Sequence, residues 1–289
     1  MRSRLLVPLA ISDAAAALIA GRTCAVTARH RRGLSLGVPG SPEVIYLSAP
    51  GQGLLPLHVV ISGASLGQLL AQGPGPDGGL SLRFIVTGVR RFTVRIRPVA
   101  PGLDAGPARD GVAVIHAWLC SRPGLNGLGE SGAESLAAAS RWRPLFGADG
   151  PRRAGALRAL VGRGRGTTPA GDDFLVGALA HEWARSGAGG ELAAGLAALA
   201  GELDGLTTPV SAGYLRAAAR GEFSSHLARL ARQLPQGRQD RLLAQAGRVA
   251  AQGATSGLDT LTGFIAAARF SQAGEWPLSG PDLPSSPPE

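Results

Sequence analysis

The chain has 289 residues, 45% of them hydrophobic, and a formal net charge of +9. That length builds one large domain or two modest ones around a real core, and the apolar content excludes a disordered chain. All 29 residues of the Lys-plus-Arg total are arginines, which excludes a Schiff-base lysine, a lysine-bearing phosphate loop and a lysine general base.

Cys24 and Cys120 form no CxxC pair, so neither a disulfide scaffold nor a cysteine-built zinc site is expected, and the compartment reads as reducing. The apolar run after Met1-Arg2-Ser3-Arg4 is interrupted by Asp13, and Ser12-Asp13 reads as the N-cap of a short helix ending at Gly21 rather than as part of a signal peptide. The expected location is therefore the cytoplasm. No uninterrupted apolar stretch of about 18 residues occurs, so no membrane span is expected. The first 165 residues hold 20 of the 29 arginines but only 8 of the 20 acids. A basic half raises the question of nucleic acid. With 4% aromatics and no helix-turn-helix pattern, no nucleic-acid partner is expected, and the arginines read as solvated strand faces with affinity for small anions left open.

After the helix near Ser12–Ala20, short β-type runs follow at Thr23–Arg29, Leu34–Val38, Val44–Leu47, Leu57–Ser62, Ser81–Thr87, Arg91–Arg97 and Val112–Leu119. Phe92, Val94 and Ile96 alternate with Arg91, Thr93, Arg95 and Arg97, the period of a half-buried strand. Strands at such short spacing predict a small antiparallel sheet or barrel. Composition changes across Ser121–Gly127. Beyond it, helical spacing of Ala and Leu predicts helices at Ser131–Ser140, Arg152–Val161, Pro169–Arg185, Glu191–Leu203, Val210–Arg220, Ser224–Leu234, Arg238–Ala251 and Gly257–Arg269. The expected fold class is α+β: a β-rich N-terminal domain over 1–125, a helical domain over 126–270, and a disordered Pro/Ser/Gly-rich tail over 271–289.

Two stretches carry the chemistry. The first runs Gly162-Arg163-Gly164-Arg165-Gly166-Thr167-Thr168-Pro169-Ala170-Gly171-Asp172-Asp173. Its alternate glycines permit positive φ, and Thr168-Pro169 reads as an N-cap with proline at N1. A glycine loop feeding a helix start is an anion site, to which Arg163 and Arg165 add charge-assisted bonds. The plainer reading is a flexible loop whose acids complement the helix dipole. The second is Thr255-Ser256-Gly257-Leu258-Asp259-Thr260, in which Ser256 and Asp259 fit a capping box or, with Thr255, Gly257 and Thr260, line a pocket. Asp172, Asp173 and Asp259 are expected to converge on one pocket, since a pair of acids in one first turn exceeds what capping needs. Thr207–Ser224 and Gly51–His58 are weaker candidates; His58 there reads as a satisfied loop histidine. No metal spacing links His30, His58, His116, His181 and His226, and no GxSxG elbow occurs.

The segments Thr-Pro-Ala-Gly-Asp-Asp-Phe-Leu (168–175), Thr-Ser-Gly-Leu-Asp-Thr-Leu-Thr-Gly (255–263), 207–224 and Gly-Gln-Gly-Leu-Leu-Pro-Leu-His together resemble the AllH-type subunit family of oxamate carbamoyltransferase. That family was formerly catalogued as a domain of unknown function with a carboxylase label. The resemblance spans roughly residues 10–270 and departs from the family pattern at Thr167, where that pattern has a hydrophobic residue. It implies a part in interconverting carbamoyl phosphate plus oxamate with oxalurate plus phosphate, in purine and allantoin breakdown, within a complex with other subunits. Asp172, Asp173 and Asp259 are then the candidate catalytic residues. Gly162, Arg163, Gly164, Arg165, Gly166, Thr167, Thr168, Thr255, Ser256, Gly257 and Thr260 are the candidate anion-binding ones. No cofactor is certain, and paired carboxylates leave Mg²⁺ open. Two alternatives remain: a non-catalytic structural subunit, and a carboxylase-like enzyme on another small anion.

Overall fold

The computed structural model describes residues 3–72, 80–99, 103, 106–147 and 150–270. The expected tail over 271–289 lies outside the described residues.

The strand-rich part contains β1 (Ser3–Leu6), β2 (Ala10–Ser12), α1 (Asp13–Ile19), β3 (Thr23–His30), β4 (Gly33–Gly37), β5 (Val44–Ser48), β6 (His58–Val60), α2 (Gly63–Ala71), β7 (Ser81–Phe84) and β8 (Arg90–Phe92). Ser12 caps α1 as its sequence predicts, accepting from the Ala15 N–H at 3.2 Å. The strands form one eight-stranded sheet in the order β1-β7-β3-β4-β5-β6-β2-β8. The expected antiparallel arrangement is corrected to a mixed one: β1–β7, β5–β6 and β2–β8 run parallel. The β3–β4 hairpin closes through a tight turn and β4–β5 through residues 38–43, whereas the parallel pair β5–β6 needs the longer excursion of residues 49–57.

The strand order forces a curl. β1 and β2 are six positions apart in the sheet, yet only residues 7–9 join them. That link spans at most about 14 Å, against about 29 Å across six spacings of a flat sheet. β7 and β8 bridge the same gap through residues 85–89. The two ends of the sheet therefore approach each other. Ile11, Ile19, Leu34, Leu36, Ile45, Leu47, Val59 and Leu82 fill the space beneath.

The run Val112–Leu119 is a helix, not a strand: α3 spans Gly106–Ser121. Its β-branched residues read as extended, but Ala108, Val112, Ile115 and Leu119 recur at three- and four-residue steps and are the buried ones. Of the expected Arg91–Arg97 strand the sheet likewise holds only Arg91 and Phe92, at the end of β8. The rest of that segment pairs with the helical part: Phe223 N–H donates to Val94 O at 2.9 Å and Ile96 N–H to Gly221 O at 3.1 Å.

Then follow α4 (Gly132–Ala138), a 3-10 turn (Ala139–Trp142), α5 (Pro144–Gly147), α6 (Gly150–Leu160), α7 (Ala170–Ser186), α8 (Glu191–Ala198), α9 (Leu203–Leu206), α10 (Pro209–Ala219), α11 (Ser225–Gln233), a 3-10 turn (Leu234–Gln236), α12 (Gln239–Ala250) and α13 (Ser256–Phe270). The predicted single helix Glu191–Leu203 is thus two, divided around Gly201. α7 and α13 are buried along most of their length and cross at reciprocal glycines. A Cβ at Gly177 would overlap the Thr260 carbonyl, and one at Gly263 the Phe174 carbonyl. No described helix is long and apolar enough to cross a membrane.

Candidate functional site

The crossing of α7 and α13 sets their first turns side by side. Ahead of α7, Gly162, Gly164 and Gly166 all adopt positive φ (74°, 113° and 98°), so the alternate glycines are a conformational requirement of this turn. Thr168 is not the N-cap. Pro169 occupies that place without a side-chain acceptor, and its carbonyl takes the Asp172 and Asp173 N–H groups. The Thr168 hydroxyl instead lies 2.7 Å from Ser256 Oγ. The capping box from Ser256 to Asp259 is not formed either: the Asp259 N–H donates to Thr255 O, and its carboxylate accepts from Gly127 N–H at 3.1 Å.

The three acids are close but differently employed. Asp172 accepts from Gly162 N–H at 2.8 Å and from the Thr207 hydroxyl, which ties the glycine turn to the start of α10. Burial raises its pKa above the usual carboxylate range against those bonds. Asp259 is pushed up to about 6 by burial, with the Glu130 charge adding to it and the Gly127 and Thr255 bonds opposing. It faces a pocket of about 10 Å³ lined by Asn126, Trp142 and Thr262 among others, room for one water at most. Asp173 is 8% exposed and bonded by the Ser256 and Thr168 hydroxyls, while its Oδ2 has no partner. Burial first, then the neighbouring Asp259 and Asp172 charges, hold this carboxyl well above its ordinary value.

Asp173 lines a cleft of about 820 Å³ between the helical part and the sheet. Thr167, Thr168, Ser256, Gly257 and Thr260 share that wall. The structure thus brings Asp173 and five of the predicted anion-site residues to one cavity. Asp172 and Asp259 flank it from behind, and Gly162–Gly166 and Thr255 do not line it. Arg163 and Arg165 are exposed outside the cleft, the Arg163 guanidinium lying 5.3 Å from the Trp142 ring centre.

The two weaker candidate stretches, Gly51–His58 and Thr207–Ser224, also contribute to the walls, and the rest was not singled out in the sequence. The β3–β4 turn brings Arg31 and Arg32, β5 brings Tyr46, α10 Tyr214, α11 His226 and α12 Arg248. A basic dipeptide at a hairpin turn was the available signal for the first pair. His58 is satisfied, as expected, though it is buried on β6 rather than in a loop: its Nδ1 accepts from Leu55 N–H at 3.3 Å and its Nε2 lies 2.8 Å from Ser48 Oγ. The Ser48 hydroxyl donates to Ala49 O, so Nε2 carries the proton and the ring is neutral, in line with burial lowering its pKa to about 4. Among the described residues no group of three His, Cys, Asp or Glu is arranged to hold a metal ion.

No solved structure matches the chain. In the helical region, residues 160–268, which contain the first turns of both α7 and α13, match the family described as oxamate carbamoyltransferase subunit AllH.

Proposed function

We propose that the chain is a subunit of a carbamoyl-transferring enzyme and that the Asp173 cleft is a substrate site for carbamoyl phosphate and oxamate, or in reverse for oxalurate and phosphate. The carrying observation is the cleft wall itself, where two helix starts joined by Thr168 and Ser256 surround a buried carboxyl with an unpartnered oxygen. In the forward reaction the oxamate nitrogen bonds to the carbamoyl carbon, the carbon–oxygen bond to phosphate breaks, and the nitrogen loses a proton. In this reading Asp173, the buried carboxyl with a free oxygen on the cleft wall, holds that proton. The first turns of α7 and α13 supply dipoles and hydroxyls toward the carbamoyl oxygen, on which charge develops as the nitrogen attacks. Other subunits of the complex complete the enzyme in this reading, and the pathway is the degradation of purine-derived allantoin.

The structural-subunit alternative draws on Asp172 and Asp259, both engaged in holding turns. Calorimetric titration of the full chain with carbamoyl phosphate separates the two. Saturable binding abolished or weakened by Thr168→Val supports a substrate site, and its absence in both the chain and the reconstituted complex overturns it.

A further inference from the structure

We infer that Arg31 and Arg32, on the turn joining β3 to β4, hold the anionic end of the ligand in this cleft, while its uncharged carbamoyl or amide end reaches Asp173. This rests on the cleft being the substrate site, and it adds which residues read the charge. None of those arginines lies in the 160–268 segment matched by the family.

The turn is built to be rigid. Arg29↔Leu34 and His30↔Gly33 pair immediately before and after it. The Arg32 carbonyl accepts from Gln52 Nε2 at 2.7 Å, which braces the hairpin against the Gly51–Gly53 turn on the same cleft. Both guanidinium groups are exposed at the mouth, and neither forms an ion pair among the described residues. A fixed backbone with uncommitted guanidiniums is a preorganised receptor for a carboxylate or phosphate.

The floor has the opposite character. Asp173 and Glu222 are the acids lining the cleft. Glu222 is neutralised by Arg95 at 3.3 Å and Arg220 at 3.8 Å. Asp173 has an unpartnered Oδ2 and no cation bonded to it. An anion placed there would meet a buried acid without a counter-charge, whereas a carbonyl or amide group can bond to it. Tyr46 and Tyr214 line the same cleft as the two arginines and Asp173, so one cavity holds both ends. Arg248 adds a third cation from α12.

The test is calorimetric titration of the full chain with carbamoyl phosphate and, as the anion alone, inorganic phosphate. The wild type is compared with Arg31→Ala/Arg32→Ala, with Arg163→Ala/Arg165→Ala and with Arg158→Ala, a surface arginine paired to Glu202. The expected result is a loss of about tenfold or more for both ligands in Arg31→Ala/Arg32→Ala, with Arg158→Ala unchanged. Arg31→Glu, tested alone, keeps the experiment decisive if the double variant melts early. Wild-type binding retained by Arg31→Ala/Arg32→Ala, or lost only in Arg163→Ala/Arg165→Ala, overturns this assignment and leaves the substrate site standing. No binding by the wild type, alone or in the complex, overturns both.

Discussion

Thr168 Oγ1 and Ser256 Oγ lie 2.7 Å apart although 88 positions separate them in the chain. This one bond joins the first turn of α7 to that of α13, and both hydroxyls also serve the Asp173 carboxyl. Ser256→Ala removes a partner from each. It is expected to lower stability by about 1–2 kcal/mol, read as a shift in the urea midpoint at unchanged slope. A midpoint equal to wild type would show that the bond carries no stability.

The crossing of the two helices allows a sharper contrast. Gly177→Ala and Gly263→Ala each drive a methyl into a backbone carbonyl of the partner helix, and a carbonyl cannot rotate away as a side chain can. Each should cost about 1–3 kcal/mol or more. Gly155 sits within α6, and a Cβ there meets nothing within 4 Å. Gly155→Ala should therefore stabilise by about 0.5–1 kcal/mol. Thermal melts of the three variants settle the matter; equal effects would contradict the packing described.

Asp259 gives a pH signature. Its carboxyl titrates at about 6 in the folded chain and at its ordinary 3.8 when unfolded. Below pH 3.8 both states hold the proton and the contribution to stability is complete. As pH rises through 6 the unfolded chain has already released its proton, so stability is lost, by up to about 3 kcal/mol. Asp259→Asn keeps an acceptor for Gly127 N–H and abolishes this term. Its stability relative to wild type should rise between pH 4 and pH 7 in denaturant titrations. Parallel curves across that range would refute the burial argument.

On the proposed reading, Asp173→Asn keeps the shape of the floor but cannot carry the proton. Turnover by the assembled enzyme should fall by roughly 10²–10⁴-fold in kcat, with assembly and melting intact and KM for carbamoyl phosphate little changed. A loss confined to KM would make Asp173 a binding group instead.

The helices were legible because Gly and Pro punctuate them and their apolar residues repeat at helical spacing: the matched segment 160–268 agrees with expectation within a residue or two at most ends. Val112–Leu119 was misleading because its β-branched residues lie on a helix face that is buried for tertiary reasons. Thr168 read as a cap because Thr-Pro usually is one, but a hydroxyl 2.7 Å away on another helix outcompetes the local backbone. Asp173 was visible as one acid of a pair. Nothing local could show that Asp172 faces Gly162 and Thr207 while its neighbour faces the cleft, since that depends on where α10 packs. Arg31, Arg32 and Tyr214 come to the cavity from two other elements, and no spacing along the chain encodes that meeting.

The seam in the sheet has a consequence for how the molecule comes into being. Ser3 pairs with Ser81, and Ile11 with both Val59 and Arg91. During synthesis, the first strand has no neighbour at all until the segment beginning at Ser81 has left the ribosome. Leu5, Val7 and Leu9 remain exposed even after it arrives. The nascent chain therefore carries an unpaired β1 and its exposed apolar neighbours over the time needed to add more than seventy residues, which is an aggregation hazard.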